Sequence, residues 1–329
     1  MTPATRPPRT LERLGVLVVV VSVLILGACG GSLGGAGPAL APLPTTSTAA
    51  SPPTSAAGPA PTCGNPVASL RPGPLPPPNQ MPAGTFMQQI QARGRLIVGV
   101  DQTTLLFGYF NPTDGQIEGF DIDMLHQVAK AIFGDPNKLE FKAITSAQRI
   151  PYTMDGTVDI VARTMTINCA RRKQVAFSTV YYDAGQKILV RKDSKAQSVE
   201  DLGGKKVCAV AGSTSIDNIR KFAPTATPLA VAEWTDCLVA FQQGDADAVS
   251  TDDTILAGLA AQDPYADIRG PRFTDEPYGM AINQQHPEFV RFVNGVLDRM
   301  RADGTWAAIY ARWLSRLGPQ SPPPATYQD

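Results

Sequence analysis

Strand-like runs alternating with helical segments along most of the chain constrain its fold more than any other feature. Leu96 to Val100, Leu139 to Ala143, Val158 to Ala162, Lys206 to Val210 and Asp245 to Val249 read as strands. Between them, Gly119-Phe120-Asp121-Ile122-Asp123 opens a helix with Ile122, Leu125, Val128 and Ile132 on one face. Thr85 to Gln88 has the shape of a capping box, and Gly94 closes the short helix that follows. Ala211-Gly212-Ser213-Thr214-Ser215 opens another helix, a further one around Cys237 ends at Gly244, and Ile255 to Gln262 is helical again. Pro287 starts a helix that ends near Asp303-Gly304, and Trp306 to Leu317 forms the last one. This order predicts an α/β architecture with mostly parallel sheets. Two extended crossings, Tyr181–Val190 and Asp275–Ile282, divide it into two lobes joined by a two-strand hinge. The expected boundaries are residues 85–184 with 281–318 for the first lobe and 185–280 for the second.

The stretch from Thr145 to Ser178 gathers the polar groups. Pro151 fits only the first turn of a helix, which places that helix from about Arg149 to Met154, before Asp155-Gly156. The strand at Val158–Ala162 then runs into a polar turn, Arg163 to Asn168, and a short basic helix carrying Arg171. Two arginines and two threonines, Arg149, Arg171, Thr164 and Thr166, thus sit at the ends of elements around one strand. Ligands of open α/β sheets lie beyond the carboxyl ends of strands, and helix N-termini favour anions there. A guanidinium in that place clamps a carboxylate through two parallel bonds, which makes this an expected anion site. Taken alone, Arg171, Arg172 and Lys173 also read as a solvated basic face.

The motifs TS-x-x-RIP at 145–151, DGT-x-D at 155–159 and T-x-T-x-x-x-x-R at 164–171 resemble the polar amino-acid receptors of ABC importers. These are bacterial extracellular solute-binding proteins, and the likeness is nearest to their glutamate/aspartate-binding, glutamine-binding-like branch. G-F-D-I-D at 119–123 agrees, and the resemblance spans roughly residues 85 to 318. It implies a bilobal fold closing on a ligand. Arg171, Thr166 and Thr164 would hold the α-carboxylate, Asp252 the α-ammonium, and Thr214 would reach the carboxylate end when the lobes close. Arg149 matches the arginine used for a side-chain carboxylate. Asp101 stands where the acidic branch has a further arginine and glutamine receptors an aspartate, so asparagine and glutamine stay open as ligands beside glutamate and aspartate. Arg163 replaces a small residue of the family and either enters the cleft or points outward.

The N-terminus reads as an address. Arg6, Arg9 and Arg13 precede an uncharged run, Leu14 to Ala28, that is short for a membrane span but has the length of a signal-peptide core. Cys29 after Leu26-Gly27-Ala28 resembles a bacterial lipobox, which implies lipidation of Cys29 and an anchor on the outer face of the cell membrane. Residues 29–84, rich in Pro, Ala and Gly, read as a flexible tether, and residues 319–329 as a disordered tail. Four cysteines remain, an even number that suits an oxidising compartment. Of the three possible pairings, Cys208–Cys237, within the second lobe, and Cys63–Cys169, at the end of the tether, are expected.

Lys+Arg and Asp+Glu number 29 each, so the chain carries no global footprint for nucleic acid. His126 and His286 are the only histidines, there is no C-x-x-C, and no metal or cofactor is expected. The Gly/Ser turn before Thr214 lacks the spacing and lysine of a P-loop. The expected partners are a small amino acid and a membrane permease, for a chain acting as a monomer and not as an enzyme. Two rivals stay open. One is a sensor that reports the ligand to a transmembrane signalling partner. The other is a dehydratase or murein lyase on the same fold, for which Glu118, Asp101 and Asp252 are the available acids.

Overall fold

The computed structural model describes residues 63–329. The expected signal peptide, the expected lipidation site Cys29 and the part of the expected tether up to residue 62 lie outside the described residues. Two five-stranded sheets organise the rest. In the first, Leu96–Val100 lies at the centre of a parallel trio, between Leu139–Ala143 and Ile160–Val161. Ala281–Ile282 and Ala176–Phe177 extend it antiparallel. The second sheet repeats that plan, with Lys206–Val210 parallel to Thr227–Val231 and to Ala248–Asp252. Tyr182–Arg191 and Ala266–Tyr278 complete it antiparallel.

Each sheet buries its own apolar cluster. Phe120–Phe133 packs Ile122, Leu125, Val128 and Ile132 into the first cluster, together with Pro287–Ala302 and Thr305–Leu314. Trp234–Gln243, Thr214–Phe222 and Asp253–Ala260 cover the second. The long pair Tyr182–Arg191 and Ala266–Tyr278 links the two, from Arg191 opposite Ala266 to Tyr182 opposite Tyr278. The return crossing therefore starts earlier than the expected Asp275.

Several strands escape the periodicity. Thr227–Val231 contains Pro228 and lies at a sheet edge, where a missing N–H is tolerated. Gly108–Asn111 pairs with Thr103–Thr104 on one side and Gln116–Glu118 on the other in a small three-stranded sheet.

Residues 63–84 and 319–329 correct the expectation of a tether reaching residue 84 and a disordered tail. Ser69 bridges Tyr327, its N–H donates to Thr326 O at 2.9 Å, and Gln328 N–H donates to Ser69 O at 3.0 Å. Asn294 on the Pro287–Ala302 helix donates to Ser69 Oγ and Leu70 O, while Arg301 donates to Pro323 O. Ala68, Ser69 and Met81 are buried as a result. A Pro-rich stretch has no core of its own, but its extended backbone leaves carbonyls free, and a polar helix face supplies the donors.

Candidate functional site

Thr145 and Gln148 form a reciprocal capping box that launches the Arg149–Met154 helix, with Pro151 in its first turn. That start turns the Arg149 side chain inward, where it is 3% exposed. Its Nε donates to Ser146 O at 3.0 Å, Nη1 to Arg163 O at 3.0 Å and Nη2 to Gly212 O of the second sheet's side at 3.2 Å. Asn168 caps the Cys169–Arg172 helix by accepting from Arg171 N–H. Arg171 donates to Thr166 O at 2.7 Å and, like Arg149, to Gly212 O at 3.2 Å. Two buried guanidiniums thus share one backbone carbonyl, and neither forms an ion pair among the described residues. Burial, with Arg171 and Arg163 nearby, pushes the Arg149 pKa well down, and burial lowers that of Arg171.

Thr164 occupies a left-handed turn, φ 41°, held by its N–H donating to Asp121 Oδ2 at 3.0 Å. Asp121 also accepts from Tyr181 OH at 2.7 Å, and burial raises its carboxyl to about 7. The G-F-D-I-D motif thereby fixes the turn as well as opening a helix. Thr166 and Thr214, from opposite sides, both donate to Glu276 Oε2, at 2.6 and 2.7 Å. Asp252 is buried at the end of its strand and accepts from Tyr278 OH at 2.6 Å. Burial, with Glu276 close by, holds its carboxyl well above the usual range.

These groups face one narrow cavity, closed down to about 10 Å³, whose lining includes Arg149, Thr164, Thr166, Arg171, Thr214, Trp234 and Asp252. Asp101 departs from the expected set. Its Oδ1 accepts from Thr103 N–H and Oγ1, and its Oδ2 accepts from Thr104 Oγ1 and faces Arg163 at 2.9 Å. Arg163 is fully buried, reaches Ser146 Oγ and meets Glu233 Oε2 at 2.6 Å across the cleft. Glu118 accepts from Asn111 on the small sheet and does not line the cavity. Cys63 is bonded to Cys169 and Cys208 to Cys237. His126 Nδ1 pairs with Pro136 O, and His286 stacks on Phe86.

Among the described residues, three buried side-chain N or O atoms have no hydrogen-bond partner: Arg163 Nε, Trp234 Nε1 and Asp252 Oδ1. The last two belong to residues lining the cavity, and Arg163 adjoins it through Ser146. Native interiors leave few such atoms, so their gathering marks this cavity as the candidate ligand site.

Residues 96–316 match the model of the bacterial extracellular solute-binding proteins, family 3. The chain belongs to that family. The glutamine-binding protein GlnH of an ABC transporter of Bacillus subtilis (strain 168) is 44% identical over 226 residues, covering 68% of this chain and 83% of the relative. The glutamate-binding protein GluB of Corynebacterium glutamicum is 33% identical, over 67% of this chain and 78% of that protein. Among solved structures, the ancestral amino acid-binding protein AncCDT-1, a precursor of cyclohexadienyl dehydratase, aligns with TM-score 0.65 and 36% identity. It covers 70% of this chain and 99% of that one. This family-3 chain therefore has the α/β solute-binding fold and the makings of an amino-acid receptor. Trp234, Glu276, Gly212 and Ser146 were not singled out by their sequence context. Ser146 and Gly212 lie inside motifs read along the chain, while Trp234 and Glu276 carried no signal of their own.

Proposed function

We propose that this chain is a receptor held outside the membrane by a lipid on Cys29, binding an acidic or amide amino acid between its two sheets. It delivers that ligand, as a monomer, to the permease of an ABC importer. The observation that carries this reading is the cavity itself. Two guanidiniums without carboxylate partners, an unpaired carboxylate oxygen and an unpaired indole N–H complement a zwitterion bearing a second polar end. Arg171 with Thr166 and Thr164 takes the α-carboxylate, Asp252 the ammonium, and Arg149 the distal group. Thr214 closes from the opposite side. Water leaves the cavity on closure, which strengthens each of these contacts.

Titration calorimetry of the full-length protein against the common L-amino acids tests the reading. Binding should centre on glutamate, aspartate and their amides, with the ligand recovered unchanged. Failure to bind any amino acid would end the assignment. Because the raised Asp252 carboxyl is the kind of group a general acid needs, ligand chemically altered after incubation would turn the reading toward an enzyme. Cys29→Ala should abolish acylation, and unchanged lipid labelling in that variant would remove the anchor.

A further inference from the structure

Resting on the amino-acid reading above, we propose that Trp234 is a specificity-determining ligand contact. Its indole N–H donates to the distal carboxylate of a dicarboxylic amino acid, in a cleft wall that offers that end N–H donors and no free carboxylate. Of the three tryptophans in the chain, two have their N–H engaged. Trp306 Nε1 donates to Tyr181 O at 2.8 Å and Trp313 Nε1 to Asp123 Oδ2 at 2.7 Å. Trp234 is 2% exposed, lines the cavity beside Arg149 and Asp252, and donates to nothing. An indole N–H can only donate, so what completes this site is an acceptor.

The backbone that carries the ring is fixed from both sides. Trp234 is the first residue of its helix, and Cys237 in the next turn is bonded to Cys208 of the second sheet. Glu233, just before it, closes a capping box with Asp236 and holds the Arg163 guanidinium. A donor placed this firmly selects its partner instead of following it.

The neighbouring carboxylates explain why the partner is an acid and not its amide. Both oxygens of Asp101 are filled by Thr103, Thr104 and Arg163. Glu276 accepts from Thr166 and Thr214 on one oxygen, and from Asn218 and Thr274 on the other. The one buried side-chain acceptor without a partner among the described residues is Asp252 Oδ1, and the ligand's ammonium takes it. A side-chain carboxylate finds donors in Trp234 and Arg149. A carboxamide at the same place would turn its NH₂ group toward hydroxyls and no free carboxylate, and sites disfavour ligands whose polar groups are poorly paired.

Two measurements on the full-length protein decide the matter. In a ¹⁵N–¹H spectrum, saturating L-glutamate should displace one indole cross-peak strongly, the peak that Trp234→Phe removes. By calorimetry, L-glutamate or L-aspartate should bind more tightly than L-glutamine or L-asparagine. Trp234→Phe keeps an aromatic ring, smaller and without the N–H, and should weaken the acids by roughly ten- to hundredfold, as expected for a lost hydrogen bond to a charged group, and the amides by less. An indole peak of Trp234 unmoved at saturation, or amides bound as tightly as acids by the wild type, overturns the proposal while leaving an amino-acid receptor intact. Absence of any binding instead removes the underlying reading. If Trp234→Phe does not fold, the wild-type spectrum still decides, since three stationary indole peaks at saturation refute the contact.

Discussion

Arg163 lies beside Arg149 and Arg171, all three buried, yet their positive charges are met in opposite ways. Arg163 stands between two carboxylates, Asp101 on its own side and Glu233 across the cleft. Arg149 and Arg171 receive only backbone carbonyls, with Gly212 O shared by both. Carbonyl dipoles soften a buried charge without cancelling it, which is why burial and neighbouring arginines push the Arg149 pKa down. The type of partner therefore separates a cation that holds the protein together from a cation that awaits an anion. In the proposed function, Gly212 O occupies the place that the ligand's anion takes.

The sharpest way to break this comparison is to remove one arginine of each kind. Arg163→Ala leaves Asp101 buried without its cation, and should lower unfolding stability by about 3–5 kcal/mol. Arg171→Ala should do the converse. It removes an uncompensated buried charge, so stability to urea should change little. Affinity for every amino acid should fall by about 2–5 kcal/mol, because the α-carboxylate is common to all of them. Equal losses of stability in the two variants would mean that both arginines are structural.

A smaller effect tests the carbonyl that stands in for the ligand. Gly212 has φ 78°, and a Cβ added there would lie 2.8 Å from Ala147 Cα on the opposite wall. Gly212→Ala combines backbone strain with a clash across the cleft, so it should cost about 1–2 kcal/mol of stability. It should also weaken ligand binding, through slower or incomplete closure visible as a larger radius of gyration in small-angle scattering. Unchanged scattering and affinity would show that the walls do not need to meet there.

Much of this arrangement could be read along the chain, because it follows from local rules. Apolar runs marked the central strands, Pro151 set the start of its helix, and the 145–171 motifs named five of the residues that line the cavity or sit at its ends. What escaped depends on residues far apart. Asp101 was expected at the ligand, but Arg163, sixty-two positions on, claims it. Glu276 lies in a strand whose alternation gives no hint that two threonine hydroxyls will converge on it. Trp234 looks like an ordinary helix start until its unpartnered N–H is seen. Residues 63–84 have a tether's composition, and partners far along the chain order them: Cys169, Arg172, Asn294 on its helix and the backbone at residues 326–328.

The finest distinction concerns Glu233, the half-buried member of the Arg163 cluster. Burial raises its carboxyl to about 7 from an ordinary 4.5, although Arg163 pulls the other way. Desolvation outweighs the attraction, as it often does when an ion pair is taken out of water. The sign follows directly. A carboxyl with a raised folded-state pKa binds its proton more tightly in the folded than in the unfolded chain. Its contribution to stability is full below about 4.5 and is lost as the pH rises through about 7. Asp121, also raised to about 7, gives a slope of the same sign, so the wild-type curve alone cannot be assigned. Glu233→Gln carries a permanent stand-in for the protonated form, keeps a carbonyl for Arg163 and leaves Asp121 untouched. Denaturant unfolding at a series of pH values between about 5 and 8 should show the wild type losing stability with rising pH more steeply than the variant, by an amount on the order of 1 kcal/mol. Parallel curves would mean that Glu233 keeps its charge beside Arg163, making the cluster a fully ionised triad and its contrast with Arg149 and Arg171 still sharper.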